Sequence, residues 1–175
     1  IAEPCAVALH AVELGEKGLS KPIENKKALV IGAGAIGLLC GLILSKVKNC
    51  KNIIIVDPND NRLKECLKYL DADGFKPDSE NIISDHFDII FDTVGLEVTR
   101  QQALRCIKPG GIIIHIGLTQ PSGAFDFRKA TLQEITFIGT YCYTNKDFEK
   151  TLNILNDKKL GSLEWIEYRK LKEGP

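Results

Sequence analysis

The chain has 175 residues, of which 44% are hydrophobic and 26% charged, so it is long enough for one globular domain with a substantial core. Its 23 lysines and arginines balance 23 aspartates and glutamates, and the formal net charge is zero. Because proteins that bind nucleic acid or anionic membranes usually carry a basic excess, we expect neither partner. No signal peptide is visible, and the longest apolar stretch, 36–44, is far too short for a membrane span.

The six cysteines form no C-x-x-C pair and the three histidines are dispersed, so the sequence predicts no structural zinc site. Unpaired cysteines in this number favour a reducing, cytoplasmic setting. Cys40, Cys66 and Cys142 lie in apolar surroundings, and we expect all three to be buried.

Hydrophobic periodicity predicts strands and helices that alternate along the chain. In order, we expect a helix over 3–16, a strand over 28–31, a helix over 35–46, a strand over 52–56, a helix capped by Asn59 or Asp60, a short strand near Phe75, a strand over 87–92, a helix over 96–107 with Val98 facing inward, strands over 112–116 and 135–141, and a helix over 147–155. This alternation indicates parallel strands with right-handed crossover helices. The predicted fold is therefore α/β, a doubly wound, mostly parallel six-stranded sheet with helices on both faces.

A glycine-rich turn joins the first predicted strand to the long apolar helix. It reads Gly32-Ala33-Gly34-Ala35-Ile36-Gly37, the G-x-G-x-x-G pattern of a dinucleotide-binding Rossmann βαβ unit. We expect Gly32 to permit the tight turn, Gly34 to let the backbone approach a pyrophosphate, and Gly37 to let the helix pack closely on the strand. The N-terminus of the helix, at Ala35 and Ile36, would face the phosphates.

Asp57 follows Gly37 by 20 residues and ends the second predicted strand, where an acid binds the adenosine ribose hydroxyls. A carboxylate there repels a 2′-phosphate, so the sequence favours NAD over NADP. Arg62 is a candidate for lining the adenine site, with a solvated surface arginine as the alternative. The nearest rival ligand is S-adenosylmethionine, which also uses a glycine loop and an acid after the second strand.

Ligands of such sheets bind at the C-terminal ends of the strands, near the switch in strand order. The sequence shows no evident set of catalytic residues. His115 is embedded in an apolar strand, and Asp88 and Asp92 are interpreted as strand-end residues. The residues expected to contact the ribose and nicotinamide end of the cofactor are Thr93, Val94, Gly95, Ile116, Gly117 and Leu118.

The whole chain resembles the cofactor domain of the medium-chain dehydrogenase/reductase family, and most closely its zinc-dependent alcohol, polyol (sorbitol) and threonine dehydrogenases. The stretches that carry the resemblance are 3–11, the glycine turn over 30–37, Val56-Asp57, 92–95, 104–111, 116–118 and 137–141. The resemblance implies a two-domain enzyme in which zinc polarises the alcohol oxygen and NAD accepts the hydride. It also implies that Glu3 lies by the catalytic zinc, and that Ile135 to Tyr141 is an edge strand that pairs in a homodimer or tetramer.

The cysteine, histidine and glutamate ligands that hold zinc in that family do not occur as motifs in this sequence. We therefore expect residues 1–175 to be an NAD-binding domain that is inactive on alcohols by itself, with zinc bound only in a longer protein. Residues 1–22 would lead in from a catalytic domain and 163–175 would begin the return to it, so both ends resemble cuts. A stand-alone NAD-binding regulatory module and a zinc-free reductase of the same family are the alternatives.

Overall fold

The computed structural model describes residues 1–173. Within them, a π-helical turn over Ile43–Val47 extends the second helix, and short 3-10 turns cover Ile23–Asn25 and Leu171–Glu173. The helices and strands are α1 (Ala2–Gly18), β1 (Lys27–Ile31), α2 (Ala35–Leu42), β2 (Asn52–Val56), α3 (Asp60–Leu67), β3 (Asp73–Phe75), β4 (Phe87–Asp92), α4 (Glu97–Cys106), β5 (Ile107–His115), α5 (Phe127–Leu132), β6 (Thr136–Gly139) and α6 (Asn145–Asn156).

The six strands form one parallel sheet in the order β3-β2-β1-β4-β5-β6. The chain first runs outward from β1 to β3 and then returns to the other side of β1, so the strand order switches between β1 and β4. This topology confirms the predicted doubly wound α/β fold. It also places the C-terminal ends of β1, β2, β4 and β5 along one edge, with a crevice expected at the switch.

Apolar side chains pack on both faces of the sheet, as strands that are covered on both sides require. One layer joins α1, α2, α3 and α6 to alternate residues of the strands, including Val30, Ile55 and Phe91. The other layer joins α4 to the intervening strand residues, including Leu29 and Ile90. The first helix, α1, is therefore an integral part of the packed core, with Leu9 and Val12 at most 1% exposed.

Several details differ from the sequence-based expectations. Val98 is 63% exposed, because α4 turns inward the face that carries Thr99, Gln102, Ala103 and Cys106. Cys142 is exposed, because it follows β6 at the edge of the sheet, whereas Cys40 and Cys66 are buried as predicted. The edge strand expected over 135–141 is shorter, and α5 was not predicted. Of the segment expected over 163–175, Gly174 and Pro175 lie outside the described residues.

Within residues 1–173, no helix combines the length and the apolar character that crossing a bilayer requires.

Candidate functional site

The glycine-rich turn leaves the C-terminal end of β1 and enters α2 directly. Gly32 has φ +103°, a conformation that L side chains rarely adopt, and its amide donates to the Val56 carbonyl at 2.7 Å. A Cβ at Gly37 would overlap the Gly32 carbonyl oxygen, so α2 packs against the turn as closely as its backbone allows. Gly34 is exposed, and a Cβ there would meet no atom of the described residues within 4 Å. Two glycines thus shape the turn, and the third leaves open space above it.

The helix N-terminus adds hydrogen-bond donors to this open space. Gly34 is the N-cap of α2, and no side chain caps the helix there. The backbone N–H groups of the first helical residues have no carbonyl partner within the helix, and the helix dipole makes this end positive. Ala35 is exposed and Ile36 is half-buried at the same end. An anionic group placed above Gly34 would therefore meet free donors.

Asp57, at the end of β2, is only 4% exposed and fastens two loops together. Its Oδ2 accepts from the Ala33 amide at 2.9 Å, and its Oδ1 accepts from the Asn59 amide at 2.8 Å. Asn59 in turn caps α3, since its side chain accepts from the amides of Asn61 and Arg62. Each carboxylate oxygen keeps a further lone pair. Asp57 therefore lies directly beside the glycine turn with acceptor capacity left for a hydroxyl.

A cavity of about 450 Å³ opens beside the glycine turn, between α2 and α3. The exposed Arg62 lines it, so this side chain borders the turn as well as solvent. Sequence reasoning missed the half-buried Trp165, which lines the same cavity from the segment after α6. That segment has no periodic hydrophobic pattern. Its packing against α2 and α3 depends on the tertiary fold and could not be predicted from the local sequence.

The loops after β4 and β5 meet in backbone contact. A Cβ at Gly95 would overlap the Gly117 carbonyl, and a Cβ at Gly117 would overlap the Val94 backbone. The first loop also touches the glycine turn, because a Cβ at Gly32 would come within 2.6 Å of the Thr93 Oγ1 atom. The structure thus brings the predicted residues of three strand ends together. Ile116 is half-buried, and Leu118 is 78% exposed above this junction.

A buried carboxylate supports the loop after β4. Asp92 is 0% exposed, and its Oδ1 accepts from the amides of Val94 and Gly95 at 3.1 and 2.9 Å. His115 lies opposite Asp92 in the register of β4 and β5, and its Nδ1 is 3.1 Å from the Asp92 Oδ2. The sequence predicted Asp92 at a strand end and His115 within an apolar strand, and it did not predict this contact.

Glu3, the predicted metal-facing residue, is exposed in the first turn of α1. Among residues 1–173, no three histidine, cysteine, aspartate or glutamate side chains are grouped as a metal site would need. The described residues therefore do not form a zinc site by themselves.

Known proteins with similar sequences are dehydrogenases and reductases. Residues 35–157 match the family model described as zinc-binding dehydrogenase. The chain is 31% identical to a probable diacetyl reductase [(R)-acetoin forming] of Saccharomyces cerevisiae over 90% of its own length and 39% of that protein. It is 26% identical to the D-xylulose reductase of the same yeast, over 95% of its own length and 49% of the relative.

A solved structure shares the fold. Acetophenone reductase from Geotrichum candidum, determined in complex with NAD, superposes with a TM-score of 0.80 at 20% identity, covering 90% of this chain and 44% of that one. The chain thus spans about half the length, or less, of the proteins it matches. The family match covers most of the chain, including α2 to α6, and it confirms the resemblance seen in the sequence. This chain belongs to the zinc-binding dehydrogenase family.

Proposed function

We propose that this chain binds NAD and forms the cofactor-binding part of a zinc-dependent alcohol or polyol dehydrogenase. The observation that carries the proposal is the open space above Gly34, bordered by the uncapped N-terminus of α2 and by the buried carboxylate of Asp57. A dinucleotide needs both features, since its diphosphate binds amide donors and its adenosine ribose binds an acid. These two features together are the strongest support for the proposal.

Each half of the cofactor has its own surface in this proposal. The diphosphate lies over Gly34 and Ala35, and Asp57 accepts hydrogen bonds from the adenosine ribose. The negative charge of Asp57 disfavours a 2′-phosphate, so NAD is preferred to NADP. The nicotinamide half lies where the loops after β4 and β5 meet, and the proposed contacts there are Thr93, Val94, Gly95, Ile116, Gly117 and Leu118.

The activity proposed for a longer protein is hydride transfer from a secondary alcohol to NAD. The relatives named above are described as a probable diacetyl reductase that forms (R)-acetoin and a D-xylulose reductase, which supports a carbonyl or alcohol substrate. The residues described here bind and orient the cofactor, and Glu3 is the one proposed to face the metal. We expect no alcohol oxidation by this chain alone, because the motifs that hold zinc in the family do not occur in its sequence.

The proposed partner is a second copy of the chain. β6 lies at the edge of the sheet; Phe137 on this strand is 42% exposed, and Tyr141 just after it is 80% exposed. An exposed apolar edge strand tends to pair with another strand, so edge-to-edge pairing into a homodimer or tetramer is physically reasonable. Five buried free cysteines fit a reducing compartment, and we propose the cytoplasm as the location.

Calorimetric titration of the chain with NAD, NADP and S-adenosylmethionine tests the cofactor assignment. We expect NAD to bind, NADP to bind at least about tenfold more weakly, and S-adenosylmethionine not to bind. Equal affinity for NAD and NADP would show that the role of Asp57 is misassigned. Binding of S-adenosylmethionine without NAD would overturn the proposal.

A further inference from the structure

The Asp92 carboxylate holds more than its own loop. Its Oδ2 lies 3.1 Å from the Thr99 hydroxyl on α4, whose one proton is shared with the Leu96 carbonyl at 2.9 Å, and 3.1 Å from His115 Nδ1. Together with the amides of Val94 and Gly95, four groups from three elements converge on one side chain that is 0% exposed. A buried carboxylate with this many partners is held in a single orientation, because losing any partner leaves a charge less well solvated.

The same residue fixes the loop after β5 through its main chain. The amides of Ile116 and Gly117 donate to the Asp92 carbonyl at 2.9 and 3.1 Å. The Thr119 hydroxyl then donates to the Val94 carbonyl at 2.6 Å. The two loops proposed to hold nicotinamide are thus tied to each other and to Asp92 by both side-chain and backbone bonds.

His115 connects this network to the α4 and α5 face of the sheet. Its ring lies 5.5 Å from that of Phe137, tilted by 34°, and it lines a cavity of about 680 Å³ on this face. Because a carboxylate beside Nδ1 favours a proton on that nitrogen, the hydrogen bond to Asp92 sets the tautomer and the ring orientation. The imidazole is only partly exposed. Its contacts with Asp92 and Phe137 hold it at the end of β5, where the next loop begins.

The adenosine half of the site is held by a different carboxylate. Asp57 bonds to Ala33 and Asn59, and neither residue bonds to Asp92 or His115. We infer that Asp92 and His115 are positioning residues for the nicotinamide half of the site, acting through the loops 93–95 and 116–119, whereas Asp57 holds the adenosine half. This inference rests on the proposed function, because it assumes that NAD binds at this edge.

The test compares two ligands in matched variants of the full chain. NADH probes both halves of the site, whereas ADP probes only the adenosine and diphosphate. His115→Phe keeps a ring against Phe137 but removes the donor to Asp92, and His115→Asn restores a donor near the position of Nδ1. His86→Phe is the control. It also replaces a histidine that lies next to an aromatic ring, but at the N-terminal ends of the strands, away from the proposed site.

We expect His115→Phe to weaken NADH binding about tenfold and to change ADP binding less than about twofold, as loss of a charged hydrogen bond predicts. His115→Asn should recover part of the loss, Asp92→Asn should act in the same direction as His115→Phe, and His86→Phe should match the unchanged chain. Unaltered NADH affinity in His115→Phe and Asp92→Asn, or equal losses for NADH and ADP, overturns the inference alone. Failure of the unchanged chain to bind either ligand overturns the proposed function and this inference together.

Discussion

At Gly34 the chain turns into α2 and leaves an open space. A Cβ built at Gly34 would meet no atom of the described residues within 4 Å. A side chain there costs the fold little, but it would occupy the volume proposed for the diphosphate. We expect Gly34→Val to change the free energy of unfolding by no more than about 1 kcal/mol, mainly through a poorer helix cap. NADH affinity should fall by more than about tenfold, measured by fluorescence titration.

The matched control is Gly139→Val, at another exposed glycine where a Cβ meets no atom within 4 Å. This variant should keep the NADH affinity of the unchanged chain. If Gly34→Val also keeps that affinity, the diphosphate does not pass over Gly34.

Asp57 has two roles: it accepts hydrogen bonds from loop amides, and its negative charge is proposed to disfavour NADP. A substitution that removes only the charge can separate them. Asp57→Asn keeps one oxygen to accept from a backbone amide, but it removes the negative charge that opposes a 2′-phosphate. We expect the preference for NAD over NADP to shrink by about tenfold or more, measured as a ratio of dissociation constants. A preference that stays unchanged would place the 2′-position of the ribose away from Asp57.

At the scale of elements, Asp88 joins the starts of three strands. Its carboxylate accepts from the Lys27 amide at 2.9 Å on β1 and pairs with Lys108 at 2.6 Å on β5 and with Lys26 at 3.3 Å. Burial alone raises the pKa of Asp88, but the Lys108 hydrogen bond, the Lys27 amide and the two lysine charges together hold its pKa below the ordinary value. A carboxyl whose pKa is lower in the folded state stabilises the fold above its unfolded pKa, and this contribution is lost as the pH falls through the folded pKa.

We therefore expect Asp88→Asn to destabilise the chain at pH 7 by about 1–2 kcal/mol, measured by urea unfolding. The difference from the unchanged chain should persist down to about pH 4, near the ordinary aspartate pKa, and shrink in more acidic solution. Asp78→Asn, at an exposed aspartate, is the control and should show little effect at any pH. A difference that is the same at pH 7 and at pH 3 would mean that the charge of Asp88 contributes nothing.

The edge strand β6 allows a test of the proposed pairing between copies. Gly139 is exposed on β6 and has open space around it, so Gly139→Lys should leave the fold intact while adding a charge to the edge. Lysines on an edge strand oppose strand pairing. We expect this variant to weaken self-association by at least about tenfold in sedimentation experiments.

Asn153→Lys adds the same charge on the exposed side of α6 and should leave self-association unchanged. Equal self-association of both variants and the unchanged chain would exclude pairing through β6.

The elements that the sequence predicted well are those with a strong periodic or motif signal. The run from β1 through the glycine turn to Asp57 was read correctly, because glycine spacing and buried strands are local features. The α5 helix was missed because it spans six residues and none of them is buried, so it shows no apolar face. The contact between Asp92 and His115 depends on the register of β4 and β5, and that register is a tertiary property.

At the scale of the whole molecule, the strand order gathers the candidate site at one edge of the sheet. Gly34, Asp57, Gly95 and Gly117 come from four separate stretches of sequence, yet all follow the C-terminal ends of neighbouring strands. The chain covers about half the length, or less, of its relatives. NAD binding at the C-terminal ends of these strands is therefore the claim on which the proposed function depends.

The most direct measurement of that claim is an amide-resolved NMR titration of the chain with NAD. We predict saturable shifts at the glycine turn and α2 N-terminus (32–37), beside Asp57, and in the loops 93–95 and 116–119. The opposite edge of the sheet, near Lys27 and His86, should remain unchanged. Shifts confined to that opposite edge, or no saturable shift at 32–37, would contradict the account.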